Sequence, residues 1–215
     1  MDVVYVDNHL CVVSKPAGMP TQPSLGHSKN VVDEAKQWIK KKFNKPGAVF
    51  LEPIHRLDRP VSGLVLLART SKALSRLQEM MRERKIKKWY YGWVEPIPQK
   101  EQAQLEHALI HAEHHAQVAR ADDPRAKQAI LEYRIERVHE GKALLEIQLH
   151  TGRYHQIRAQ LSAIGCPILG DKKYQSRHAW KGEGIALCHG KMELIHPVTL
   201  VPLEFMIGTD LQKQS

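Results

Sequence analysis

The run SGLVLLA, Ser62 to Ala68, sets the tightest limit on how this chain folds. It is almost wholly apolar, too short for a core-spanning helix, and follows the turn-forming Arg59-Pro60 pair. Apolar runs of this length bounded by turn residues are strands covered on both faces. The run is entered by HRLDRPV, in which Asp58 stands between Arg56 and Arg59. A carboxylate among cations therefore sits in the loop leading into a central strand. Nearby cations favour its ionised form, and an ionised carboxylate can attack an electrophilic carbon. An Arg–Asp pair that merely pins the loop fits the same residues.

The neighbouring segments supply a sheet and its covering helices. VVYV and LCVVS read as two strands turning at Asp7-Asn8, followed by the Pro/Gly-rich loop KPAGMPTQPS. NVVDEAKQWIKKKF has its apolar residues at helical spacing, with Asn30 as N-cap. SKALSRLQEMMRERK reads as a helix capped by Ser71, with Leu74, Leu77, Met80 and Met81 inward; KWYYGWVEP reads as a strand. LEHALIHAEHH fits a helix or two short strands. AILEYRIERV and KALLEIQLH form a strand pair turning at Glu140-Gly141. HQIRAQLSAIG is a helix with Ile157, Leu161 and Ile164 on one face and Gly165 as its stop. IALCHGKMELI and VPLEFMI close the chain as strands. With no repeat or low-complexity tract, the expectation is a single α+β domain over 1–215, with a mixed, largely antiparallel central sheet flanked by helices and loops.

Charge narrows the partner. The chain carries a net charge of +9, and such a surface attracts polyanions. Arg82, Arg84, Lys85, Lys87 and Lys88 cluster just before Trp89, Tyr90, Tyr91 and Trp93, and Lys40 to Lys42 form a second run. Cations beside aromatics suit phosphate contact and base stacking, although a helix end leading into an aromatic strand accounts for the same pattern. No apolar run is long enough to span a bilayer, and the N-terminus lacks a signal-peptide pattern, so a cytoplasmic protein is expected.

Other chemistries find little support. Cys11, Cys166 and Cys188 are odd in number and widely spaced, which argues against a disulfide framework or thiolate zinc site. His107, His111 and His115 would share a helix face and invite a metal, but no acid or cysteine sits at ligand spacing. Ser62 lies in no nucleophile elbow, and no paired acids mark a glycosidase.

HRLDRPVSG, in contrast, resembles the signature of RluA-type pseudouridine synthases, HRLDxxTSG. Four further blocks agree in order: SKPAGMP, KKWYYGWV, LHTGRYHQIRAQLSAIGCPILGDKKY and LCHGKMELIHPVT. The resemblance implies the pseudouridine synthase fold and an isomerase that converts uridine to pseudouridine in large-subunit ribosomal RNA or transfer RNA, without cofactor or metal. It assigns Asp58 as nucleophile, Tyr90 as the tyrosine packing on the target base, and Arg158 as the cation paired with the catalytic aspartate. Arg56 matches the arginine associated with flipping the target nucleotide, and Arg153, His155, Lys88 and Lys15 are expected to serve RNA binding. The catalytic motifs begin almost at Met1, so a catalytic domain alone, without an N-terminal RNA-binding domain, is expected, and a monomer. Val61, Gly92, Gln160 and Gly190 depart from the pattern, which has threonine, alanine, histidine and alanine there. Those departures bear on packing and substrate choice rather than on the reaction.

Overall fold

The structure, a computed structural model, describes residues 1–120, 122–208 and 211. It is a mixed α+β fold with a mostly antiparallel sheet. The described residues divide into two compact units. The first holds Met1–Ile86 and Lys191–Ile207; the second holds Lys87–Gly190 with Gly208 and Leu211.

In the first unit, β1 (Asp2–Val6) and β2 (Leu10–Lys15) form the expected hairpin. Asp7 closes it by accepting from the His9 and Leu10 amides. The amphipathic helix α1 (Val31–Lys42) starts at Asn30, whose side chain accepts from the Asp33 amide and donates to the Asp33 carboxylate. Its last turn is Lys40–Lys42, so the basic run faces the negative end of the helix dipole. The short β3 (Glu52–Pro53) and β2 both pair with β4 (Ser62–Ala68). Gly63 through Ala68 are all buried, as the apolar run requires.

The second helix, α2 (Ser71–Arg82), is capped by Thr70 and not by Ser71: the Thr70 hydroxyl accepts from the Ala73 amide. Both residues are good caps. The choice falls on Thr70 because its backbone is extended (φ −142°) while Ser71 is already helical. Leu77 is fully buried, and Leu74, Met80 and Met81 pack against the same core; burying a leucine stabilises by roughly 1.5–3 kcal/mol.

The second unit starts with β5 (Lys87–Val94), followed by β6 (Gln102–His111), β7 (Ala116–Ala119), β8 (Lys127–His139) and β9 (Lys142–Leu149). Their order is β5-β9-β8-β6-β7, and each pair is antiparallel. LEHALIHAEHH is thus most of one long strand and the turn after it. Its alternating pattern gives a half-buried strand, so His107, His111 and His115 share no helix face. No group of three or more His, Cys, Asp or Glu among the described residues is placed to hold a metal ion. The β8–β9 hairpin turns through Glu140 (φ 47°) and Gly141 (φ 75°), both in the left-handed region that a two-residue hairpin turn demands.

Helix α3 (Gln156–Ala163) ends as expected at Gly165 (φ 76°). The Cys166 amide reaches Leu161 O, and the Gly165 amide reaches Ser162 O. The helix is not one-faced, however: Gln156 through Leu161 are all buried. Polar positions on this helix find donors and acceptors inside the fold. Gln160 donates to Leu105 O and Ala129 O, at 3.0 and 3.2 Å, so the glutamine in place of histidine ties α3 to β6 and β8. The last strands are β10 (Leu187–Ile195), whose residues are divided between the units at Gly190/Lys191, and β11 (Pro202–Met206), which pairs with it. No helix among the described residues is long and apolar enough to cross a membrane.

Candidate active site

Asp58 belongs to the first unit, Tyr90 and Arg158 to the second. Asp58 is half-buried in the loop between β3 and β4, flanked by exposed Arg56 and Arg59. Its backbone is fixed from both sides. The Leu57 amide donates to Thr21 Oγ1 (3.1 Å) and the Thr21 hydroxyl returns a bond to Leu57 O (3.0 Å); both residues are buried. On the other side, the Val61 amide donates to Asp58 O (3.0 Å), closing a turn around Arg59-Pro60. His55 accepts from the Leu66 amide through Nε2, and Gly63 sits at φ 119°, a conformation open to glycine but strained for other residues. The conformation of HRLDRPVSG thus rests on backbone bonds, with the aspartate side chain not needed for any of those named.

Lys15 completes this frame. It is 0% exposed, and its ammonium donates to the carbonyls of Pro16, Met19 and Arg59. The Gly18 amide also donates to Arg59 O (2.8 Å). The lysine of SKPAGMP therefore braces the KPAG loop against the Asp58 loop from a buried position.

In the second unit, Tyr90 and Lys88 lie on one face of β5, two residues apart. The Tyr90 ring stacks on His189 with centroids 4.6 Å apart and an interplanar angle of 17°. Tyr91 and Trp93 are core residues, Trp93 donating its indole N–H to Leu211 O. The aromatic cluster is therefore mainly strand packing. A Cβ on Gly92, where alanine is usual, would come within 3.3 Å of Ala186 O and a Leu187 methyl, a tight fit.

Lys88 is 6% exposed, and burial pulls the pKa of its ammonium down to about 8. The direction follows because burial penalises the charged form. The unfolded lysine holds its proton up to about pH 10.4, so between about pH 8 and 10 the unfolded chain binds more protons and stability rises with pH. Lys88→Met should remove that rise. Near neutrality it should also stabilise the fold by about 3 kcal/mol, the free energy that separates a lysine titrating near 8 from one titrating near 10.4. Denaturation midpoints of the two proteins at about pH 7, below that rise, and about pH 9.5, well into it, check this; equal pH dependence would refute it. A cation retained against that penalty points to use.

Arg158, on α3, is 4% exposed. Its Nε and Nη2 donate to the two carboxylate oxygens of Asp171 at 2.6 and 2.8 Å, and its guanidinium lies 4.9 Å from the centroid of the Tyr174 ring. The Tyr174 hydroxyl accepts from the Ala116 amide (2.7 Å) and bonds His155 Nδ1 (2.9 Å). His155 stacks on Tyr154 and takes a left-handed backbone (φ 51°) at the start of α3. Burial foremost, with the nearby cations Arg158 and Lys173, drives its pKa down to about 3. Its ring sits within a buried network, where burial favours the neutral form. Arg153 is exposed, its Nε donating to Gln128 O. Its loop is moored by Gln156, which accepts from the Arg153 amide and the Thr151 hydroxyl and donates to Ile130 O.

Asp171 and Tyr174 escaped the sequence reading as functional residues, although both lie in GDKKY, inside a block that carried the resemblance. Their signal is a bidentate acid for the arginine and an aromatic face above it, visible only once the chain is folded.

Known proteins identify the family. Residues 9–163 match the family model described as RNA pseudouridylate synthase. The chain belongs to this family. Within it, the chain is of the RluA type. It is 33% identical over 213 residues to the "Dual-specificity RNA pseudouridine synthase RluA" of Haemophilus influenzae, covering 98% of this chain and 94% of the relative. It is 30% identical to the "Ribosomal large subunit pseudouridine synthase D" of Zymomonas mobilis, covering 95% of this chain and 68% of that one. The solved structure of human RNA Pseudouridylate Synthase Domain Containing 4 shares the fold, with a TM-score of 0.80 over 96% of this chain and 88% of that one at 21% identity. As a family member, the protein is an isomerase that converts uridine to pseudouridine in RNA.

Proposed function

We propose that Asp58 is the group that opens the uridine for isomerisation, and that the substrate is large-subunit ribosomal RNA or transfer RNA. The observation that carries the first point is the build of the Asp58 loop: one carboxylate, presented by a backbone held through Thr21, Val61 and Lys15. The second rests on the relatives, one named as a ribosomal large-subunit enzyme and one as a dual-specificity enzyme.

One carboxylate suffices because nothing is hydrolysed. Asp58 attacks the anomeric carbon, abstracts a sugar proton to leave a glycal, or adds to the base. On each route the bond from C1′ to N1 breaks, the base turns, and C5 bonds to C1′. The hydrogen on C5 leaves as a proton while N1 gains one, so atoms balance. Arg158 is the cation assigned to the nucleophile, with Asp171 and Tyr174 fixing its plane. Tyr90 takes the flipped base on its ring, and Arg56 fills the place the base vacates. Arg153 and Lys88 supply charge for phosphate, whereas Lys15 and His155 act through the loops they hold. A monomeric catalytic domain in the cytoplasm completes the reading.

Incubation of the purified protein with ribosomal and transfer RNA lacking pseudouridine, followed by site mapping, tests the substrate. New pseudouridine in neither RNA would defeat the assignment. Tyr90→Ala tests the stacking role. Base–aromatic stacking is worth roughly 1–3 kcal/mol, so kcat/KM should fall roughly 5- to 150-fold, with Tyr90→Phe retaining most of it. An unchanged kcat/KM in Tyr90→Ala would remove the tyrosine from the mechanism.

A further inference from the structure

A cavity of about 420 Å³ opens in the second unit between β6, the start of β8 and the Gly152–Tyr154 loop. Arg125, Lys127 and Arg153 line it, together with His111 and Tyr154, and no carboxylate is among its lining residues. We infer that it is a second nucleotide subsite, one that takes a flanking nucleotide of the RNA substrate, with its phosphate on the three cations and its base against Tyr154 and His111.

The aromatic wall is preorganised. Tyr154 stacks on His155 at 3.9 Å and 17°, and His111 meets its edge at 4.3 Å and 65°. His155 is in turn tied to the Tyr174 hydroxyl, so the platform is anchored in the buried network and little side-chain freedom remains to be lost on binding. Arg153 is held at the rim by its bond to Gln128 O, with its Nη groups as donors for phosphate. Arg125 holds Asp123 through both Nε and Nη2, at 3.1 and 2.8 Å, but with its side chain 75% exposed the pair is screened by salt and a phosphate competes with the carboxylate for the guanidinium. Gly152 contributes no side chain to the wall. The volume lies in the range of small-ligand sites, roughly 300–1,000 Å³, which suits one nucleotide. Cations with aromatics, and no acid lining the cavity itself, select a nucleotide over a peptide. This site rests on RNA being the substrate and is independent of which residue performs the chemistry.

The test uses Arg125→Gln/Lys127→Gln and His111→Ala in the full chain, with Lys45→Gln/Lys72→Gln as a charge-matched control on exposed lysines outside the cavity. KM for a uridine-bearing RNA transcript should rise roughly tenfold in the double variant and at least about fivefold in His111→Ala, with kcat unchanged. In the Asp58→Asn background, where binding is read without turnover, the slope of log K against log salt should flatten by about 1.4, or roughly 0.7 per lost contact with single-stranded RNA. A double variant that matches the control in KM and slope overturns the subsite. So does binding of free uridine monophosphate at His111 and Tyr154, followed by NMR, if RNA binding is indifferent to the variants. If Asp58→Asn retains turnover while the cavity variants still raise KM, the subsite stands and the catalytic reading falls.

Discussion

Asp58→Asn should abolish isomerisation while leaving the fold and RNA binding intact. The loop that carries Asp58 is held by Thr21 on Leu57, by the Val61 amide on the Asp58 carbonyl, and by Lys15 and Gly18 on Arg59. None of these bonds uses the Asp58 carboxylate, and asparagine has nearly the same size. The change removes the ionised oxygen that each proposed route requires. Loss of an activated nucleophile removes at least about 10⁴ in rate, or roughly 5.4 kcal/mol of barrier. Release of tritium from RNA labelled at uridine C5 reads the step directly, because that hydrogen leaves only when C5 bonds to the sugar. Normal release by a folded Asp58→Asn protein would end the assignment. An amide also carries no charge to repel phosphate, so RNA affinity should hold or improve slightly.

The largest stability loss is expected at Asp171. Its side chain is 2% exposed and takes both bonds of a bidentate pair with Arg158, itself 5% exposed at the side chain. Asp171→Ala strips both charge-assisted bonds from a buried guanidinium. Removing one partner of a buried pair costs about 3–5 kcal/mol, most of it the penalty of a buried charge left badly compensated. At roughly 2–4 °C per kcal/mol for a chain of this size, Tm should fall by about 6–20 °C. Asp171→Leu combined with Arg158→Met should recover much of that loss, since no charge then remains to be buried. The recovered protein should still be inactive if Arg158 serves the nucleophile. A Tm drop under about 2 °C in Asp171→Ala, less than a single kcal/mol would produce, would show that Arg158 does not depend on this pair.

How far these residues could be read from the chain itself differs by kind. The family, the β4 strand behind Asp58, the Glu140-Gly141 turn and the Gly165 helix stop were all legible. Each depends on a local pattern: apolar run, positive-φ glycine, motif order. The stretch around His107, His111 and His115 was ambiguous, because its apolar residues fit a helix turn and a strand alternation equally. Pairing with β7 and β8 decides for the strand. The Ser71 cap was displaced by one residue, since Thr70 and Ser71 are chemically equivalent until the backbone chooses.

Motifs in the bare chain were enough to identify an RluA-type synthase and to single out Asp58 as the acid proposed to react. Short motifs with fixed residue types survive any uncertainty about packing. The fate of the polar residues around those motifs was settled by the folded arrangement alone. Lys15 and Lys88 were expected to serve RNA binding and are buried; Gln160 read as a departure and is a tie between strands; Arg158 has Asp171 as a partner thirteen positions away. A charged or amide side chain enters a core only when partners from elsewhere in the chain repay its lost hydration. Those partners come from other strands and loops, so their effect is absent from any local stretch of sequence and appears only when folding brings them together.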